Sequence, residues 1–215
     1  MNQRMTRLAT ASVAAILLCS GMVGGATAGQ SDVQAAKAAT ARFHDLTVAG
    51  NAGFGQPPAP APLHFCIASL NNTGSMGFHY INGGNIDKVL DPTLPEVLVY
   101  APDKHGRLKL AALEYVIFQG DWYADHAQGT MPMLFGQDFM PNDGSRFGIP
   151  PFFGLHVWLF QDNPSGMFAP FNPNVSCDNA ATASTRGASV AAGAAAIQTA
   201  AATTRWLCRT SGASA

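Results

Sequence analysis

The stretch RLKLAALEYVIFQ, residues 107–119, decides the fold of this chain. In an extended strand, successive side chains point to opposite faces. One face of this segment presents Leu108, Leu110, Ala112, Glu114, Val116 and Phe118, and the other presents Arg107, Lys109, Ala111, Leu113, Tyr115 and Ile117. The first face is apolar except for Glu114 and the second is mixed, so the first is expected to meet a core. Glu114 is then interior. A bare buried carboxylate costs several kcal/mol, so it must be paired, protonated or bound to a metal.

The neighbouring segments carry the same short period. Pro102-Asp103-Lys104-His105-Gly106 reads as a hairpin loop joining this strand to one at 96–101. Further strands are expected at 63–70, 76–82, 134–140 and 155–160. Turn signals at Asn82-Gly83-Gly84, Asn142-Asp143-Gly144 and Asn163-Pro164-Ser165-Gly166 separate them, and short connections favour antiparallel neighbours. Ahead of the strands, 31–50 reads as a helix. Ser31 and Gln34 form a capping box, Val33, Ala36, Phe43 and Leu46 share a face, and Gly50-Asn51 gives a left-handed stop. The proline-rich run 56–62 follows as an extended connector. The expected fold class is α+β: an antiparallel sheet, a barrel or a sandwich, with one N-terminal helix packed on it.

Two histidines join Glu114 as candidates for chemistry. His79 shares a strand face with Gly77 and Ile81, and His156 shares one with Trp158 and Phe160. His79, Glu114 and His156 lie on three strands that can converge inside the fold. Two imidazoles and one carboxylate are a workable shell for a divalent transition metal, zinc or iron. Without a metal, Glu114 is a candidate catalytic base whose pKa burial would raise. His44, beside Asp45 on the helix, is a weaker ligand candidate. His105 falls in the hairpin loop, and His126 follows Trp122, Tyr123 and Asp125 in a loop or a turn of helix. The competing reading is structural, since a buried Glu hydrogen-bonded to His, Tyr or Arg is an ordinary way to hold a core together. No H-E-x-x-H, G-x-S-x-G or phosphate-binding glycine loop is present. The aromatics Phe147, Phe152, Phe153, Trp158, Phe160, Phe168 and Phe171 read first as core, and second as the lining of an apolar ligand pocket.

The ends of the chain bear on compartment. Arg4 and Arg7 precede an apolar run from Leu8 to Leu18, and Ala26-Thr27-Ala28 has the small-x-small pattern of a cleavage site. Residues 1–28 are therefore expected to be a signal peptide. Leu18 before Cys19 argues against lipid attachment there. The run is too short for a stable membrane anchor, and no second run is long enough to span. Residues 29–178 are expected to form a single globular domain. Residues 179–215, rich in Ala, Thr, Ser and Gly, read as a low-complexity tail. A secreted or periplasmic location favours a disulfide. Cys66 and Cys177 bracket the strand-rich part, and joining them closes a loop on the order of a hundred residues, worth about 4 kcal/mol. Cys208 is left over in the tail. A formal net charge of −1 gives no basic footprint for nucleic acid.

Several strings together resemble an uncharacterised family of exported bacterial proteins. They are Ala41-Arg42-Phe43-His44-Asp45, Met76-Gly77-Phe78-His79-Tyr80-Ile81-Asn82, Leu90-Asp91-Pro92 with Pro95-Glu96-Val97-Leu98-Val99-Tyr100, Glu114-Tyr115, His156-Val157-Trp158, Asn163-Pro164-Ser165-Gly166-Met167-Phe168-Ala169, and Asn172-Pro173-Asn174-Val175-Ser176-Cys177. The resemblance spans roughly 36–178 and implies that helix and strands belong to one domain; it implies no activity. The family pattern carries an acidic residue two places before the last histidine, where this chain has Gly154, so an acid paired with His156 is not expected from that position. Three function classes fit the sequence. The first is an exported domain with an interior His/Glu metal or small-ligand site, suited to metal-assisted hydrolysis or oxygen chemistry if it is an enzyme. The second is a non-catalytic extracellular glycan- or lipid-binding module, and the third a structural protein of the cell envelope. The expected partner is a small molecule or an envelope component.

Overall fold

The computed structural model describes residues 28–178. The leader expected at 1–28 falls outside the described residues but for Ala28, and so do Cys19, Cys208 and the tail from 179 onward. Helix α1 (Ala28–Thr40), a 3-10 turn (Ala41–His44) and helix α2 (Leu46–Asn51) come first. The strands are β1 (Ile67–Ala68), β2 (Ser75–Ile81), β3 (Val97–Pro102), β4 (Leu108–Phe118), β5 (Met133–Leu134), β6 (Gln137–Asp138), β7 (Met140–Asn142) and β8 (Phe152–Val157), with helix α3 (Gln119–Asp125) between β4 and β5. Six strands form one antiparallel sheet in the order β1-β2-β3-β4-β8-β7, curled into a half-barrel, and β5 and β6 form a separate hairpin. The fold is α+β, with an open sheet rather than a closed barrel.

Both faces of the sheet are buried. On one face Ala36, Phe43, Ala49 and Phe54 from the helical segment pack on Phe78, Tyr80, Leu98, Tyr100, Leu113, Tyr115 and Ile117. The other face gathers Val97, Val99, Ala112, Val116, Phe147, Phe152 and Trp158. Double burial explains why β4 reads as a nearly continuous apolar run.

The alternation expected along β4 breaks at one point. Val99 pairs with Ala112 but Tyr100 pairs with Leu110, so Ala111 is an extra residue. This β-bulge switches the phase of the strand. Leu108 and Leu110 therefore join the helix-side core, while Ala112, Val116 and Phe118 stay on the opposite face with Glu114. The single face assigned from sequence is two half-faces.

Other boundaries move for local reasons. The expected helix 31–50 is split at Asp45, and Ser31 lies inside α1 instead of capping it. The left-handed stop falls at Gly53, φ +94°, not at Gly50. The expected strand 134–140 is a tight hairpin, because Phe135 (φ 57°) and Gly136 (φ 73°) turn the chain between β5 and β6. The expected strand 63–70 shrinks to β1, preceded by a 3-10 turn at Pro62–His64. Strand β8 starts earlier than expected and ends at Val157. Beyond it the Trp158 amide donates to the Met167 carbonyl, and Phe160 crosses to the helix-side core. Cys66 and Cys177 are joined, with their Cα atoms 5.7 Å apart. The segment before Cys177 also pairs with β2 through Ser75 and Asn172.

Candidate metal centre

The site is built from β2, β4 and β8. Glu114 sits directly opposite His156 in the β4–β8 ladder and opposite Val97 in the β3–β4 ladder. His79 pairs with Val99, two residues along β3 from Val97 and therefore on the same face. His79 and Glu114 are two strands apart, about 10 Å in a flat sheet. Yet His79 Nε2 lies 3.4 Å from Glu114 Oε2. The two long side chains reach toward each other across β3, over the face that carries Val97 and Val99. His156 Nδ1 lies 3.7 Å from Glu114 Oε1, and the two imidazole rings stand edge to face at 5.8 Å. Gly154 contributes by lacking a side chain: a Cβ there would lie 3.3 Å from Glu114 Oε1 and 3.1 Å from the Phe152 ring.

All three side chains are removed from water, with His79 and His156 each 3% exposed and Glu114 8%. Burial pushes the Glu114 carboxyl up to about 8, helped by the nearby charge of Glu96. It pushes His79 down to about 4. His156 is pushed down to about 3 by burial first and by His79 second. Among the described residues the only ion-pair partners of Glu114 are these two histidines. His79 Nδ1 and His156 Nε2 are buried without a hydrogen-bond partner. One donor atom from each of His79, Glu114 and His156 falls within 4.8 Å of the others, and such a cluster could hold a metal ion.

A cavity of about 380 Å³ reaches the cluster. Its walls are mostly apolar and include Leu63, Met76, Ile81, Val116, Phe147, Phe152 and Phe171, so part of the aromatic run 147–171 lines a pocket while Phe153, Phe160 and Phe168 pack on the other face. Arg146 and Asn142 add polar atoms. Arg146 is exposed, which places it at the mouth.

The remaining histidines stand apart. His44 is exposed on its 3-10 turn with its ring edge-on to Phe160, and it is not part of the three-residue cluster. His105 is exposed in the hairpin loop, and His126 stacks on Trp122 at 3.5 Å just past α3. Sequence reasoning missed Glu96, which is 1% exposed and accepts a hydrogen bond from the Val116 amide at 3.0 Å. An acidic residue opening the apolar run Val97-Leu98-Val99-Tyr100 was the available signal. It also missed Arg146, which no periodicity marks.

No protein-family model, curated protein or solved structure matches the chain. The fold and the cluster alone define its class: an α+β protein with a buried two-histidine, one-carboxylate cluster under an apolar pocket.

Proposed function

We propose that this protein is an exported domain whose His79, Glu114 and His156 bind a divalent transition metal at the floor of a small-molecule pocket. The spacing of the donor atoms carries the reading. Separations of 3.4 and 3.7 Å are long for hydrogen bonds. The shorter matches the edge of a zinc tetrahedron, about 3.4 Å for bonds of about 2.1 Å; the two contacts reach different oxygens of Glu114, and the three donor atoms as a set lie within 4.8 Å, so a bound ion would draw them closer. Among the described residues the carboxyl has no lysine or arginine partner, so a bound cation would be what stabilises its ionised form in this buried site. Three protein ligands leave a coordination position open toward the cavity. A zinc ion there would polarise a carbonyl or lower the pKa of bound water, the chemistry of metal-assisted hydrolysis, and iron would suit oxygen chemistry. Export is supported by the leader-like residues 1–28, by the disulfide, and by the resemblance to exported bacterial proteins. Among the described residues no helix is long and apolar enough to cross a membrane.

One observation favours a second, structural reading. With Glu114 pushed up and both histidines pushed down, all three groups are largely neutral near pH 7 in the metal-free protein. A neutral trio can sit in a core without a ligand.

Zinc titration of the full-length, metal-stripped protein separates the two. The expected result is one zinc per chain, with stabilisation of about 2.7 kcal/mol at a hundredfold excess over the dissociation constant. His79→Ala and His156→Ala should each abolish stoichiometric zinc while remaining folded. Wild-type protein that takes up neither zinc nor ferrous iron, and shows no thermal shift with either, would leave only the structural role.

A further inference from the structure

The geometry points to an amphiphilic monocarboxylate as the molecule this pocket takes, with its apolar body along the cavity wall and its carboxylate at Arg146. The assignment deepens the metal-centre reading and rests on it for what lies at the inner end. Three observations carry it. First, the cavity of about 380 Å³ is about two and a half times the size of a benzene-sized protein cavity, which leaves room for an apolar body on the order of ten carbons. Second, the wall between floor and mouth is apolar on both sides, from Met76, Ile81 and Val116 to Phe147, Phe152 and Phe171. Such a wall stabilises hydrocarbon and offers a polar chain nothing to bond. Third, among the described residues Arg146 is the one lysine or arginine that lines the cavity, and it is held in place rather than loose. Its Nη2 donates to the Ala68 carbonyl at 2.7 Å, and its guanidinium carbon lies 5.7 Å from the centre of the Phe147 ring. A guanidinium has five N–H donors, so those not used on Ala68 can face a carboxylate in the fork geometry such pairs adopt. Among the described residues Glu114 is the only acidic one that lines the cavity, and the exposed Asp143 near Arg146 is engaged by the Ser145 amide and hydroxyl.

The opposite orientation, carboxylate on the metal and tail outward, would leave Arg146 unused and is the alternative to test. Octanoate, octanol and octylamine are titrated against full-length wild-type protein, Arg146→Gln and Arg146→Lys, each with and without zinc. The expected order is octanoate over octanol over octylamine. Arg146→Gln should weaken octanoate about tenfold and leave octanol unchanged, and Arg146→Lys should recover part of the loss. Equal affinity for octanoate and octanol overturns the proposal. So does octanoate binding that needs zinc but ignores Arg146. Because zinc uptake is measured on the same samples, Arg146-dependent octanoate binding without zinc uptake would uphold this ligand class and remove the metal reading alone.

Discussion

Glu114 and Glu96 show how differently two buried carboxylates can stand out in a sequence. Glu114 interrupts an otherwise apolar alternation midway along a strand, so its burial was legible from residues 107–119 alone. Glu96 sits where the strand begins, next to Pro95, so the only sign of it is an acidic residue at the head of an apolar run. The structure gives it a specific task. Backbone pairing between β3 and β4 ends at Val97 and Glu114, and the Glu96 carboxylate takes over as acceptor for the Val116 amide. Burial, the largest cause, pushes its pKa from 4.5 up to about 8. The folded chain therefore holds a proton that the unfolded chain releases between those values. Stability from Glu96 is complete below about pH 4.5 and is lost as pH rises through about 8. Glu96→Gln keeps an acceptor oxygen and cannot ionise. Its stability advantage over wild type, measured by urea unfolding, should grow from near zero at about pH 4.5 to as much as about 5 kcal/mol above pH 8. A difference that stays constant with pH would show that Glu96 does not change its protonation on folding.

At the scale of elements, the broken N-terminal helix is the clearest case of tertiary contacts overriding a local pattern. A continuous helix would pair the Thr47 amide with the Phe43 carbonyl. Instead the Tyr100 hydroxyl donates to that carbonyl at 2.5 Å, and the Thr47 amide donates to Asp45 Oδ1 at 2.8 Å. Asp45 takes an extended conformation and caps α2, which lets Phe43 and Ala49 both reach the sheet. Asp45→Ala should cost about 1 kcal/mol in chemical denaturation, and Asp45→Asn only a few tenths. An unchanged midpoint for Asp45→Ala would mean that Tyr100 alone sets the break. The amphipathic face of the helix was readable. The break was not, because its cause lies on a strand far along the chain. The bulge at Ala111 is similar: two adjacent alanines give no sequence sign that the period shifts between them.

Across the whole molecule, long-range ties fasten the closing segment to the start of the sheet. The disulfide joins residues 111 apart in sequence, with Cys66 just ahead of β1 and packed against the helix-side core. The Ser75–Asn172 bridge seats the same closing segment on β2, where Gly74, φ +101°, leaves no room for a Cβ against the Asn172 carbonyl. Replacing Cys66 and Cys177 together by serine should cost about 4 kcal/mol, because the unfolded chain regains the entropy of a loop of that length. The midpoint of thermal or urea unfolding measures it, and a loss under about 1 kcal/mol would mean the unfolded state is already compact in this region.

The fold class, the strand identities at the centre of the sheet, the hairpin at 102–106 and the interior character of Glu114 could all be read from the order of residues. Each of these follows from local chemistry: alternation, turn residues, and the cost of burying a charge. Only the tertiary structure decided that His79, from a strand two places away, meets Glu114 and His156 in one space. That meeting depends on the register of β2, β3, β4 and β8, which pairs His79 with Val99, Val97 with Glu114 and Glu114 with His156. Register is set by pairing between distant segments, which no short stretch of the chain encodes.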